Sequence, residues 1–329
     1  MLIQKKANKI KRIIGRSSKI FITSHNKIDM DSISSMIGMY QISKRRFNNC
    51  YIIIDEEDTE HDEIIEEIIN NIKKDMNIIK SSEVVKNKSK IENNNLLVLL
   101  DCNSKEDLSC PNIVDKFKRI MIIDHSTRKD KSIKAILSVI EKSASSCAEM
   151  ITYLIEKFNK NIDSNYATLL LAGIATDTDN FSLRTKQETF YSAYYLSCLG
   201  ADNSQVQYLQ KLDMKKFINR EKLITSTQLL NNDTVAFAKG SNHIIYSGED
   251  LAKAAYTMLY FNNIEVSFVL AKIAKNTPAI YIRSLGNVDI SGIIEEFNGV
   301  GDRYKGKIIF EKNTIGKVEN KIKEKIKNL

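Results

Sequence analysis

Four short apolar runs dominate the first half of this chain, and each ends in a polar residue able to bind a metal or cap a helix. They are KIFITSH, ending at His25; CYIIID, ending at Asp55; LLVLLDC, with Asp101; and RIMIIDH, with Asp124 and His125. Runs this short and this rich in Ile, Leu and Val suit strands buried on both faces. Segments of helical periodicity separate them, such as DSISSMIGMYQISK after the first run. Strands alternating with helices predict a parallel sheet with helices on both faces, and in such sheets ligands gather beyond the carboxyl ends of the strands.

The residues at those ends are the candidates for chemistry. His25, Asp29 and Asp31 follow the first run, Asp101 the third, Asp124 and His125 the fourth, and Asp177 lies in the helical stretch LLLAGIATDTDNF. An Asp at the end of a buried strand is often only a turn former or a helix cap. Recurrence argues against that explanation here: the chain has four His, and two of them stand beside Asp at strand ends. Carboxylates mixed with imidazoles suit borderline divalent ions such as Mn²⁺, and a carboxylate that bridges two ions makes a two-metal site for attack on phosphorus.

From 145 to 199 the pattern is helical, in SSCAEMITYLIEKF, SNYATLLLAGIATDT and QETFYSAYYLSCLG. The aromatic group Tyr191, Tyr194 and Tyr195 reads as packing. A second unit follows, with strands in TVAFAKG, IEVSFVLAKI, AIYIRSL and GKIIFEK and helices in GEDLAKAAYTMLY and DISGIIEEF. The expected division is therefore 1–205, a joining segment 206–219, and 220–329. In the tail, Val318, Ile322, Ile326 and Leu329 form one apolar helix face, which predicts docking onto its own domain.

Length and composition support two domains, since 329 residues with 43% hydrophobic content can build two cores. No window of 18 apolar residues and no signal-peptide pattern occurs, so a cytoplasmic protein without a transmembrane segment is expected. Five Cys with no C-x-x-C pair indicate neither a disulfide framework nor a zinc knuckle. They read as reduced, mostly buried thiols, and Cys102 should face away from Asp101 because adjacent strand residues point apart. The formal charge of +8 comes from Lys interspersed with acids, which favours weak attraction for phosphates but no long nucleic acid. The acidic run from 55 to 67, with His61, reads as an exposed loop and helix start.

The order H-x-x-x-D-x-D, strand-end Asp, Asp-His, then G-I-x-x-D-T resembles the DHH phosphoesterase superfamily. Within it, SHNKIDMDSISSMIGM, SASSCAEMITYLIE, ATLLLAGIATDTDNFSLRTKQETFYSAYYLSCLGAD and IRSLGNVDISGIIEEF are most similar to the catalytic module of GGDEF-containing cyclic-di-AMP phosphodiesterases. The resemblance implies a DHH metal-binding catalytic domain and a smaller α/β DHH-associated substrate domain. It implies two Mn²⁺ ions held by His25, Asp29, Asp31, Asp101, His125 and Asp177. Asp101 would bridge them, with His25 and Asp29 on one ion and Asp31, His125 and Asp177 on the other. Asp124 would support His125. Arg283, Ser284 and the loop of Gly299, Gly301, Asp302 and Arg303 would hold a small nucleotide.

Two departures from the family pattern stand out. Ser126 takes the place of the second His of D-H-H, and Gly299-Val300-Gly301-Asp302 replaces a G-G-G-H sequence. A charged or donating imidazole has become a hydroxyl in one case and an acid in the other, although Arg128, Lys129, Arg303 and Lys305 can restore positive charge. The resembled proteins also carry membrane, sensory and GGDEF segments ahead of the module. By length this chain is like stand-alone DHH phosphodiesterases, which prefer linear pApA or nanoRNA. The expected activity is metal-dependent hydrolysis of cyclic-di-AMP or a related short dinucleotide. A nanoRNase or pApA phosphatase, a catalytically weakened nucleotide-binding protein and a homodimeric state all stay open.

Overall fold

The computed structural model describes residues 1–44, 49–55, 62–86, 92–126, 133–211 and 214–327. The chain divides into two compact units, Met1–Lys211 and Leu212–Leu329. Among the described residues no helix is long and apolar enough to cross a membrane.

The first unit is built on a parallel sheet of β1 (Ile20–Thr23), β2 (Cys50–Ile53), β3 (Ile78–Ile79), β4 (Leu96–Leu100), β5 (Arg119–Asp124) and β6 (Leu137–Ile140). Their order is β3-β2-β1-β4-β5-β6, all pairs parallel, so the order reverses between β1 and β4. That reversal opens a crevice at the carboxyl ends of the two central strands. The strand β6, in AILSVIE, was not anticipated, because its alternating Leu137, Ser138, Val139 and Ile140 make only a short signal at a sheet edge.

Alternation along the strands divides the core in two. Ile20, Ile22, Leu96, Val98, Leu100, Met121 and Ile123 pack in a large cluster with α1 (Leu2–Gly15), α2 (Met30–Ser43), α3 (Glu63–Ile72), α5 (Cys147–Lys157) and α6 (Ser164–Asp177). Phe21, Leu97, Leu99, Ile120 and Ile122 face the other side, where Val84 of α4 (Ser81–Lys86) and Ile113 and Val114 of a short 3₁₀ turn cover them. Cys102 lies in this second cluster. Cys50, Cys102 and Cys147 are buried, Cys110 is half-buried and Cys198 is exposed, all as free thiols.

Helix α6 is apolar on all sides and buried from Ala167 to Ala175, which marks it as a central helix. Gly173 makes this possible: a Cβ there would collide with Ser34 Oγ and lie 3.3 Å from Asp31 Cα. The unit closes with α7 (Gln187–Cys198) and α8 (Asn203–Leu209). The expectation that the α7 tyrosines pack inside needs correction, since Tyr191 is 50% and Tyr194 66% exposed while Tyr195 alone packs against the core. The helix buries Thr189, Ser192 and Leu196, a three-to-four spacing that turns residues 191 and 194 outward.

In the second unit α9 (Met214–Thr225) precedes a mixed sheet of β7 (Gln228–Leu230), β8 (Val235–Lys239), β9 (Val266–Ala274), β10 (Thr277–Ser284), β11 (Val300–Gly301) and β12 (Lys305–Ile309), in the order β11-β12-β10-β9-β8-β7. Only β8 and β9 run parallel, joined through α10 (Gly248–Met258); the other pairs are antiparallel. One face packs on α11 (Ser291–Glu296) and α12 (Ile315–Ile326), where Val318, Ile322 and Ile326 are buried as the tail's periodicity predicts. Leu329 lies outside the described residues.

Candidate metal centre

The loop after β1, residues 24–29, carries His25 and then turns into α2. Asp29 is the N-cap of that helix, its carboxylate accepting from Ser32 N at 2.9 Å. Asp29 is therefore a helix cap and a member of the cluster at once. Asp31 sits in the first turn, fully buried, and its oxygens accept from Cys147 N at 2.8 Å and Ala148 N at 2.7 Å, at the start of α5. Helix N-termini favour carboxylates because their first N–H groups lack partners inside the helix.

Asp101 follows β4 with φ at +53°, a left-handed conformation that costs a non-glycine residue energy. Its N–H bonds Ile123 O at 3.0 Å, which holds the turn closed. The carboxylate ends between two imidazoles, with Oδ2 3.3 Å from His25 Nε2 and Oδ1 3.3 Å from His125 Nε2. His125 Nε2 is also 3.3 Å from Asp177 Oδ2 and 3.8 Å from Asp31 Oδ2, while His25 Nε2 is 3.7 Å from Asp29 Oδ2. The six side chains thus form two groups, His25, Asp29 and Asp101, and Asp31, His125 and Asp177, with ligand atoms in each group within 4.8 Å of one another. These are two candidate metal sites that share a boundary at Asp101.

Electrostatics in the metal-free cluster follow from that crowding. Burial alone would lower the His25 pKa, but its bond to Asp101 and the charges of Asp29 and Asp101 raise it to about 10. His125 rises to about 9 because Asp101, Asp31 and Asp177 outweigh burial in the same way. Burial opposes ionisation of Asp101, yet the two imidazoles bring its pKa down to about 2. Asp31 goes up through burial and the charges of Asp177 and Asp101, and burial lifts Asp177 to about 6. Protons and imidazolium charge thus offset negative charge that a divalent cation could neutralise. Four carboxylates and two imidazoles fit such an ion by donor chemistry as well.

Asp124 is buried at the end of β5, and its carboxylate accepts from Asn103 Nδ2, Ser126 N and Ser126 Oγ. Among the described residues no bond joins it to the His125 ring, so any support it gives that ring runs through the backbone. Two groups near the cluster escaped sequence reading. Asn103, 1% exposed, bonds both Asp124 and Ser126. Arg184 donates from Nη2 to Asp177 O at 2.5 Å and lies 3.5 Å from Asp177 Oδ2. Left-handed residues Asp179, Asn180, Phe181 and Arg184 fold the chain back over the end of α6. The basic residues of NFSLRTK, Arg184 and Lys186, were the only sequence signal available, and nothing in their spacing points at Asp177.

Arg128 and Lys129 lie outside the described residues, as does His61. In the second unit Arg283 is half-buried on β10 and donates to Ile282 O at 2.8 Å, with burial pulling its pKa down. Ser284 Oγ donates to Val288 O and accepts from Gly286 N. Gly299 and Gly301 admit close backbone approach, since a Cβ would come within 2.8 Å of Lys307 O at the first and 2.7 Å of Gly306 Cα at the second. Asp302 forms the following turn, accepting from Tyr304 N at 2.8 Å and Lys305 N at 3.1 Å, and Arg303 Nε donates to Gly286 O.

Residues 19–174, which contain β1 to β6 and five of the six clustered side chains, match the DHH family, N-terminal domain. The chain belongs to the DHH family. This DHH protein is 30% identical over 319 residues to the cyclic-di-AMP phosphodiesterase PdeA of Listeria monocytogenes, covering 95% of this chain and 48% of that protein. It is 34% identical over 297 residues to the cyclic-di-AMP phosphodiesterase GdpP of Bacillus subtilis, covering 89% of this chain and 45% of the relative. The chain spans about half the length of the curated relatives it matches. Its fold matches the crystal structure of an exopolyphosphatase-related protein from Bacteroides fragilis, with a TM-score of 0.79, 19% identity and 99% and 97% of the two chains covered.

Proposed function

We propose that this DHH protein is a metal-dependent phosphodiesterase that hydrolyses cyclic-di-AMP or a related short dinucleotide with two Mn²⁺ ions. The observation that carries the reading is the Asp101 carboxylate, which offers one oxygen to each of two imidazoles and so stands where a bridging ligand belongs. His25, Asp29 and Asp101 would hold one ion, and Asp31, His125, Asp177 and the shared Asp101 the other. When bound, such a pair lowers the pKa of water and neutralises phosphoryl charge.

The chain's own residues contribute positioning and counter-charge. The two backbone bonds from α5 hold Asp31 against movement. Arg184 is 58% exposed beside Asp177, so its guanidinium can offer further donors to a phosphoryl oxygen. Arg283, Ser284, Gly299, Gly301, Asp302 and Arg303 are the proposed nucleotide-binding group of the second unit.

The dinucleotide substrate is supported by the similarity to PdeA and GdpP over most of this chain. A second reading, a nucleotide-binding protein with weakened turnover, is favoured by Ser126, whose hydroxyl hydrogen is already engaged by Asp124. The test is purified protein with Mn²⁺ against cyclic-di-AMP, pApA, bis-p-nitrophenyl phosphate and pyrophosphate. Turnover of cyclic-di-AMP above the others supports the proposal. Preference for pApA moves it to a nanoRNase-type enzyme, and binding without turnover of any of them favours the second reading.

A further inference from the structure

We infer that Asn103 is a positioning residue for His125, acting through a closed triad with Asp124 and Ser126. The inference rests on the reading of His125 as a metal ligand. Asn103 Nδ2 donates to Asp124 Oδ2 at 2.6 Å and to Ser126 Oγ at 3.1 Å. Ser126 in turn donates twice to the same carboxylate, from N at 2.7 Å to Oδ1 and from Oγ at 2.8 Å to Oδ2. Asp124 is fully buried and Asn103 nearly so, so the bond between these two is shielded from competing water, while Ser126 closes the triad from an exposed position.

His125 lies between the two residues that this triad immobilises. On its amino side Asp124 ends β5, with its carbonyl accepting from Glu141 N at 2.8 Å. On its carboxyl side the Ser126 backbone is tied to the Asp124 carboxylate. Asn103 is anchored independently, its carbonyl accepting from Ile133 N at 3.3 Å. The ring that must serve Asp101, Asp31 and Asp177 at once therefore has its peptide fixed from a separate loop.

The triad also defines what Ser126 can do. Its one hydroxyl hydrogen goes to Asp124 and one of its lone pairs receives Asn103. Donation to a substrate phosphate would require breaking the bond to a buried carboxylate. Residue 126 stiffens the loop and gives the phosphate no donor. The amide of Asn103 is specifically required, because Asp at that position would set two carboxylates against each other and Ala would leave Asp124 a donor short.

The test compares the full chain with Asn103→Ala, Ser126→Ala, Ser126→Thr and the double alanine variant, using Mn²⁺ binding isotherms together with kcat and KM. Loss of a partner that orients a ligand weakens metal binding by about 10–100-fold, and that loss is expected for one of the two ions in Asn103→Ala. A fall in kcat with unchanged KM should accompany it, since the triad does not touch substrate. Ser126→Thr keeps the hydroxyl and should retain parent affinity. The double variant should be little worse than either single one, because both act on one carboxylate.

Parent-like affinity for both ions in Asn103→Ala would overturn the inference, and so would a raised KM at unchanged metal affinity, which would make Asn103 a substrate contact. Should Asn103→Ala not unfold cooperatively, Ser126→Ala carries the same expectation, and unchanged binding there overturns it equally. A parent protein that binds no Mn²⁺ would overturn the metal reading itself, a result distinct from a tight parent with an equally tight variant.

Discussion

Asp31 and Cys147 are 116 positions apart in sequence, yet the Asp31 carboxylate accepts the Cys147 backbone N–H at 2.8 Å. One buried carboxylate thereby joins α2 to the start of α5 and faces His125 with the same oxygen. Capping and metal binding demand the same thing of it, negative charge at a fixed point.

That double duty predicts a stability loss that depends on metal. In Asp31→Ala the two N–H donors lose a charged acceptor, a change of roughly 3 kcal/mol for hydrogen bonds to ionised groups. Without metal the loss is partly offset, because burial, with the charges of Asp177 and Asp101, already pushes the Asp31 pKa up. Denaturant unfolding with Mn²⁺ and with chelator should show the larger deficit in the metal-loaded protein. Equal deficits would mean that Asp31 serves only as a cap.

Asp101 provides the sharpest test of the two-ion arrangement. Asp101→Asn preserves the left-handed backbone, which Asn tolerates, while removing the shared negative charge. Metal analysis should find close to two Mn²⁺ per chain in the parent and clearly fewer in the variant, with activity abolished. Two ions retained in a folded Asp101→Asn would remove Asp101 from the bridging role.

Metal uptake should release protons. With His25 at about 10 and His125 at about 9 in the metal-free protein, both imidazoles are charged at pH 7.5, and each must lose its proton to bind a metal. Loading two ions should release about two protons per chain from the imidazoles, with any proton held on the raised Asp31 carboxyl adding to them, and affinity should rise with pH toward 9. The sign for folding is opposite. A His pKa raised above its unfolded value of 6.5 stabilises the metal-free fold fully below 6.5, and that contribution is lost as pH climbs through 9 and 10. Calorimetric titration in buffers of different ionisation enthalpy measures the release directly; proton-neutral binding would contradict it.

Arg184 should matter to turnover more than to folding. Its exposed guanidinium beside Asp177 is the group assigned to phosphoryl charge, and removing one such donor costs about 10²–10³ in rate. Arg184→Ala should lower kcat in that range, with Arg184→Lys recovering part of it. Parent kcat in Arg184→Ala would leave the guanidinium as a cap on the end of α6.

Besides its place in the proposed nucleotide-binding group, Asp302 holds its own turn. Its carboxylate takes two backbone N–H groups in the turn before β12, so Asp302→Ala should cost about 1 kcal/mol of stability. Asp302→Asn should cost less, and neither change should alter metal content. A gain in cyclic-di-AMP turnover in Asp302→Asn would instead point to repulsion between this acid and the substrate.

Strand-end placement made half of the candidate metal cluster, His25, Asp101 and His125, legible in the sequence, because an apolar run followed by His or Asp specifies both a buried strand and the polar group at its end. The alternation of strands with helices likewise determined the parallel sheet, and the spacing of Val318, Ile322 and Ile326 determined the buried face of the last helix. These are local signals, written within one turn or one strand. Tertiary structure alone decided that one Asp101 oxygen meets His25 and the other His125, that Asp31 caps α5, that Asn103 bonds Asp124, and that Arg184 returns to Asp177. Each of those contacts joins separate elements, or depends on left-handed backbone that folds the chain back on itself. Residue type and periodicity report what a segment buries, but which polar groups meet across segments depends on strand order and helix packing, and those are properties of the whole fold.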